Sequence, residues 1–199
     1  MAKVMNWHRL RDTLTAEGIL LFSAEDLRRI FGISSVSANF LLFRYAKNGS
    51  LVRLKRGMYA FPDHLPSDLV LANSLYRPSY ISREFALSYH SIIPESVYEI
   101  TSITSGTTRL FETLGKMYSY RHVQPRALMG YILAEEGGVR FQIADPEKAF
   151  VDATYFRLLD KLPPLERFRK EKIKKEKSVE YAKLFNSTTL QSTIEELLS

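Results

Sequence analysis

The sequence predicts an α+β protein in three parts: a basic N-terminal third of short helices and a hairpin, a mixed α/β middle, and a charged helical C-terminal segment. Its 199 residues are 45% hydrophobic and 12% aromatic, enough to bury the core of one large domain or two small ones. Charge is unevenly spread: residues 1–62 carry a net +6, residues 63–162 a net −2 and residues 163–199 a net +2. Periodicity also changes, from apolar spacings of three and four in the first third to alternation in the middle. These breaks place domain limits at 1–62, 63–162 and 163–199. A basic module on a slightly acidic body fits an anion-binding part joined to something else, and nucleic acid is the obvious anion.

The first helix is predicted over "NWHRLRDTLTAEG", where Trp7, Leu10 and Leu14 share a face and Gly18 can end the run. "ILLF" reads as a short buried strand. "SAEDLRRIFG" starts with Ser23 and carries Asp26 three residues on, which approximates a capping box, and it stops at Gly32. Ser34 can cap a third helix that reaches about Asn48. Only "GIS" separates the second and third helices, the spacing of a helix-turn-helix. "SLVRLK" and "MYAF" then flank "KRG", with Gly57 supplying a positive φ for a hairpin. Helix, strand, helix, helix and hairpin in that order is the winged helix-turn-helix arrangement.

In that arrangement the hairpin tip meets the DNA backbone, so Arg53, Lys55 and Arg56 are the expected phosphate contacts. Leu51, Val52, Leu54, Tyr59 and Phe61 are expected to hold the ribbon to the helices. On the third helix Ser35, Ser37, Arg44 and Lys47, with Asn48, are the groove candidates. Val36, Phe40, Leu41, Leu42, Phe43, Tyr45 and Ala46 surround most of the rest of that helix, a pattern that predicts burial against another domain or chain. Charge on a hairpin is also compatible with a merely solvated face or a protein-binding module.

After a linker around Pro62 to Asp68, "LVLANSLY" reads as a helix, and Ser82 is placed to cap another that runs through His90 to near Pro94. "YEITSIT" and "MYSYRHV" alternate as strands, and "GYILAEEGGVRFQIA" is a hairpin folded at "EEGG". "DPEKAFVDATYFRLLDKL" opens with Asp145 as cap and Pro146 at the first helical position.

"GSLVRLKRGMYAF", "YISREFALSYHSIIPESVYEITSIT", "GKMYSYRHV" and "MGYILAEEGGVRFQIADPEKAFVD" together resemble, in the same order, the AbiEi family of abortive-infection antitoxins. The resemblance runs from about Ser23 to Phe156. It implies that Ser82, His90, Arg121, Asp145, Glu147, Lys148 and Asp152 form the motif of an antitoxin domain. It also implies a regulator that represses its own operon by binding promoter DNA, expected to hold inverted repeats, and that counteracts a co-encoded nucleotidyltransferase toxin. Such pairs are type IV toxin-antitoxin systems acting in phage defence, and they need no stable complex between the two proteins. Ser91 stands where family members often have glycine after the histidine, and the C-terminal segment lies outside the resemblance.

Other classes find little support. His8, His64, His90 and His122 are scattered without a second ligand at useful spacing, so neither a metal nor another cofactor is expected. Asp145 is explained as a cap and Glu147 as a first-turn acid favoured by the helix dipole; with Asp152 they are not expected to be catalytic. No phosphate loop, nucleophile elbow or cysteine is present, and a non-enzyme is expected. No stretch approaches the roughly 20 apolar residues of a bilayer span and no apolar leader opens the sequence, so the expected location is cytoplasmic, off the membrane. Seven Lys/Arg and three Glu between Glu166 and Lys177 read as a solvated helix or a second nucleic-acid contact, and "TTLQSTIEELLS" as a final amphipathic helix. The remaining alternative is a regulator or protein-binding adaptor with no effect on a toxin.

Overall fold

The computed structural model describes residues 6–136 and 138–199 and divides the chain into two compact units, Met1–Pro66 and Ser67–Ser199. In the first unit, α1 (Trp7–Ala16) is capped by Asn6, whose side chain accepts from the Arg9 amide. The Ser23/Asp26 capping box forms in full at the head of α2 (Ala24–Phe31). Ser34 caps α3 (Ser35–Lys47), so three residues link α2 to α3, a spacing compatible with a helix-turn-helix. β1 (Val52–Lys55) and β2 (Met58–Ala60) pair antiparallel, and Gly57 takes φ 78° at their turn, a value costly for any side chain. Leu10, Leu14, Phe22, Leu27, Leu42, Leu51 and Phe61 form the core of this unit, with Trp7 tilted 4.7 Å from the Tyr45 ring.

Two expectations fail here. "ILLF" is not a strand: only Phe22 is bridged, exchanging both backbone hydrogen bonds with Tyr59. The third helix is not buried all round. Ala38, Leu41, Leu42 and Tyr45 face the core, whereas Val36, Phe40 and Phe43 are 79%, 61% and 65% exposed. Apolar residues on both sides make such a helix read as buried, because composition does not say which side meets the core.

The second unit is built on a six-stranded sheet among the described residues, in the order β5-β6-β4-β3-β8-β7. The strands are β3 (Ser79–Ile81), β4 (Ile100–Thr104), β5 (Arg109–Thr113), β6 (Lys116–His122), β7 (Tyr131–Glu136) and β8 (Val139–Ala144). β4 runs parallel to β6 and β3 parallel to β8; the other neighbours are antiparallel. β3 and β5 are too short or too exposed to stand out in the sequence.

Helices α4 (Asp68–Leu75), α5 (Arg83–Tyr89) and α6 (Pro146–Leu159) cover the sheet. Successive strand residues point to opposite faces. Tyr118 and Tyr120 therefore reach α4 on one side, donating to Asp68 and to the Ala72 carbonyl, while Arg121 reaches α6 on the other. Residues 163–199, set apart by their charge, belong to this same unit. The expected helix at 166–177 is mostly irregular, and α7 (Lys175–Lys183) and α8 (Thr188–Leu197) follow it. Phe168 lies 4.8 Å from the Phe150 ring, and Ala182, Leu190 and Ile194 are buried, so the segment packs through its sparse apolar positions despite its charge. No helix among the described residues is long and apolar enough to cross a membrane.

Candidate functional site

In the first unit the residues singled out for DNA lie at the surface of α3 and the hairpin. Ser35, Ser37, Arg44 and Lys47 are exposed, as are Arg53 and Arg56, while Lys55 is half-buried. Ser37 shares a 2.9 Å hydrogen bond with Ser34, and the Arg44 guanidinium donates to the Tyr45 hydroxyl at 2.9 Å while lying 5.8 Å from the Phe40 ring. Residues 34–61, which span α3 and the hairpin, contain Arg44, Lys47, Arg53, Lys55 and Arg56 and no Asp or Glu. The acidic side chains of the unit are Asp12 on α1, Glu17 at its C-terminal cap, Glu25 and Asp26 at the head of α2, and Asp63. Leu51, Leu54 and Phe61 are buried and anchor the hairpin, with Val52 and Tyr59 half-buried.

In the second unit most of the motif residues converge. Asp152 is wholly buried on α6; it accepts from the Ser82 hydroxyl at 2.7 Å and the Tyr80 hydroxyl at 3.0 Å, and it pairs with the equally buried Lys148 one turn before it. The Lys148 ammonium also lies 4.9 Å from the Phe185 ring and 5.6 Å from the Tyr80 ring. Burial pushes the Asp152 carboxyl up and the Lys148 ammonium down, and each partner opposes that push by stabilising the other's charged form.

A second cluster forms at the head of α6. Asp145 caps the helix through the Lys148 amide at 2.8 Å and accepts from the Tyr181 hydroxyl at 2.7 Å and from Lys177 at 2.9 Å. Burial and then the Asp145 carboxylate push the Tyr181 hydroxyl up to about 12. Glu147 is buried, accepting from the Lys174 amide and from Lys177 at 3.0 Å. Burial pulls the Lys177 ammonium down, but Asp145 and Glu147 outweigh it and hold its pKa above the usual lysine value. Gly130 makes room for this: a Cβ there would fall 2.8 Å from the Tyr181 ring.

His90 donates from Nε2 to the Ala144 carbonyl at 2.8 Å, tying the end of α5 to the residue before Asp145. Arg121 stands apart, in a two-pronged pair with Asp160 at 2.9 Å and 4.5 Å from the Phe156 ring. Asp152 has no exposed surface and three protein donors, so it binds β3 and α5 to α6 and offers no face to a substrate.

Ser82 occupies the N-cap position of α5 but makes no capping bond, because its hydroxyl is committed to Asp152. Glu147 does more than complement a helix dipole: it fastens the C-terminal segment. Ser91, at φ 54°, takes a backbone conformation in the left-handed region that favours glycine. Tyr80, Lys177 and Tyr181 are not marked by the sequence as site residues: Lys177 reads as part of a solvated charged run and Tyr181 as a sparse apolar position. Two faint signals pointed to them: Tyr80 and Ser82 are two apart in "YIS", and Lys177 and Tyr181 four apart on α7.

Residues 13–62 match the family described as transcriptional regulator, AbiEi antitoxin. The first unit is therefore similar to the AbiEi-type family, and the match covers 50 of the 199 residues. The matched residues run from Thr13 in α1 to just past the hairpin, so the AbiEi-type match falls wholly within the first unit. The chain is also similar to the crystal structure of the RV2827C protein from Mycobacterium tuberculosis, at 14% identity with a TM-score of 0.49, over 98% of this chain and 82% of that one. No curated protein matches the chain.

Proposed function

We propose that this protein is a non-enzymatic, cytoplasmic antitoxin that also represses its own operon. Its first unit acts as a winged helix-turn-helix, with α3 in the major groove and the β1–β2 hairpin as wing. Arg53, Lys55 and Arg56 contact phosphates, and Ser35, Ser37, Arg44 and Lys47 position α3. The second unit, built around the Lys148–Asp152 pair, counteracts a co-encoded nucleotidyltransferase toxin without needing a stable complex. The observation that carries the DNA-binding part is the run of five cations with no acid across α3 and the hairpin, inside a segment that matches a family of transcriptional regulators.

Converting Arg53, Lys55 and Arg56 to Ala should weaken binding to duplex DNA from upstream of its own reading frame. The log–log salt slope should flatten by about 0.9 for each phosphate that the variant no longer neutralises. An unchanged slope means that the hairpin does not touch phosphate. The toxin part is tested by co-expressing the full chain with a nucleotidyltransferase encoded beside it: failure to restore growth removes the antitoxin reading. The family match is confined to the first unit, and this favours a second reading, a DNA-binding regulator that leaves a toxin unopposed. In that case operon repression persists while rescue fails.

A further inference from the structure

The exposed ridge on α3 is the feature that neither the core nor the charged residues account for. Val36, Phe40 and Phe43 are spaced i, i+4 and i+7, directly opposite the buried Ala38, Leu41, Leu42 and Tyr45. We propose that Val36 and Phe40 read thymine, packing on its 5-methyl group in the major groove. This rests on the reading of the first unit as a DNA-binding module.

Three observations favour this occupant. On its own helix the ridge is flanked by the exposed Arg44 and Lys47, with Ser35 and Ser37 at its start, and no acid lies anywhere in residues 34–61. A second copy would bring its own five cations against these five, and like charges across an interface select against it. A polyanion that carries an apolar group is the complementary partner, and in the major groove that group is the thymine methyl. Position agrees as well, since the N-terminal residues of the second helix of a helix-turn-helix meet base edges, and Val36 and Phe40 lie in the first half of α3. Both side chains suit the task. Val36 is stiff at χ1, and Arg44 lies beside the Phe40 ring with its cation available to a nearby phosphate.

The test compares the full chain on two duplexes of the DNA upstream of its reading frame, one with thymine and one with deoxyuridine throughout, which lacks only the methyl. Binding to the uracil duplex should weaken about fourfold for each methyl group that the ridge covers, the transfer value of one such group. The Val36→Ala, Phe40→Ala double variant should bind the thymine duplex more weakly and no longer distinguish the two. Both sites are exposed, and an unchanged circular dichroism spectrum confirms that the variant is folded. The Arg53→Ala, Arg56→Ala variant should weaken binding to both duplexes equally and keep the discrimination. Equal affinity of the parent chain for the two duplexes overturns the inference while leaving DNA binding intact, as does discrimination that survives in the double variant. Binding to neither duplex removes the DNA-binding reading and this inference with it. A dimer, seen by sedimentation without DNA and dissociated by Phe40→Ser, overturns it in favour of a second copy on the ridge.

Discussion

Replacing Lys148 by methionine removes the charge of the buried pair while keeping the alkyl stem that packs near Tyr80 and Phe185. Asp152 retains the Ser82 and Tyr80 hydroxyls, so what disappears is mainly the neutralisation of a carboxylate with no exposed surface. Breaking such a pair from one side costs about 3–5 kcal/mol, a large fraction of a typical domain's stability. Changing both partners, Lys148→Met with Asp152→Asn, leaves no buried charge and should recover about 2 kcal/mol or more.

The pH dependence has a definite sign. Without Lys148 nothing cationic opposes the burial that already raises the Asp152 pKa. The folded state then keeps a proton that the unfolded chain releases above about pH 4. With more protons bound in the folded state, stability falls as pH rises from that point, so the deficit of Lys148→Met is smaller at pH 5 than at pH 7. Urea unfolding followed by circular dichroism gives the size of the loss, and hydrogen exchange of the α6 amides assigns it to the second unit. A Lys148→Met chain within about 1 kcal/mol of the parent at pH 7, or a deficit that grows towards pH 5, refutes the reasoning.

Two further substitutions test the second unit. Ser91→Gly should stabilise the protein by about 0.5–1 kcal/mol, because φ 54° penalises a side chain more than glycine's extra unfolded-state freedom costs; an unchanged or lower melting temperature contradicts this. The Arg121 guanidinium holds the Asp160 carboxyl below its usual pKa, so the pair stabilises the fold at neutral pH and that contribution is lost as pH falls through the folded pKa. Arg121→Ala should cost no more than about 1 kcal/mol at pH 7, since both side chains are partly exposed, and should flatten the acid limb of a stability–pH curve.

Local chemistry made much of the chain legible. Ser23, Ser34 and Asp145 cap the helices they were read to cap, and Gly57 turns the hairpin, because these roles depend on residues within a few positions of one another. Ser82 shows the limit of that reading. It stands where a cap belongs, yet its hydroxyl goes to Asp152, 70 positions away in sequence, and no local pattern reports such a partner. Likewise the Lys177 ammonium lies in a run that reads as solvent-facing charge, but two buried carboxylates draw it onto the head of α6.

The sequence by itself determined the helix starts, the turn of the hairpin, the concentration of cations in the first unit and the resemblance to the AbiEi family. These follow from side-chain chemistry at short range and from net charge, which need no tertiary contact to be counted. Only the tertiary structure decided which side of α3 is buried, and that Lys148, Asp152, Tyr80 and Ser82 form one buried network. The physical reason is the same in both cases. A residue's surroundings are set by what the fold brings against it from distant parts of the chain, and apolar or charged character alone does not specify that neighbour.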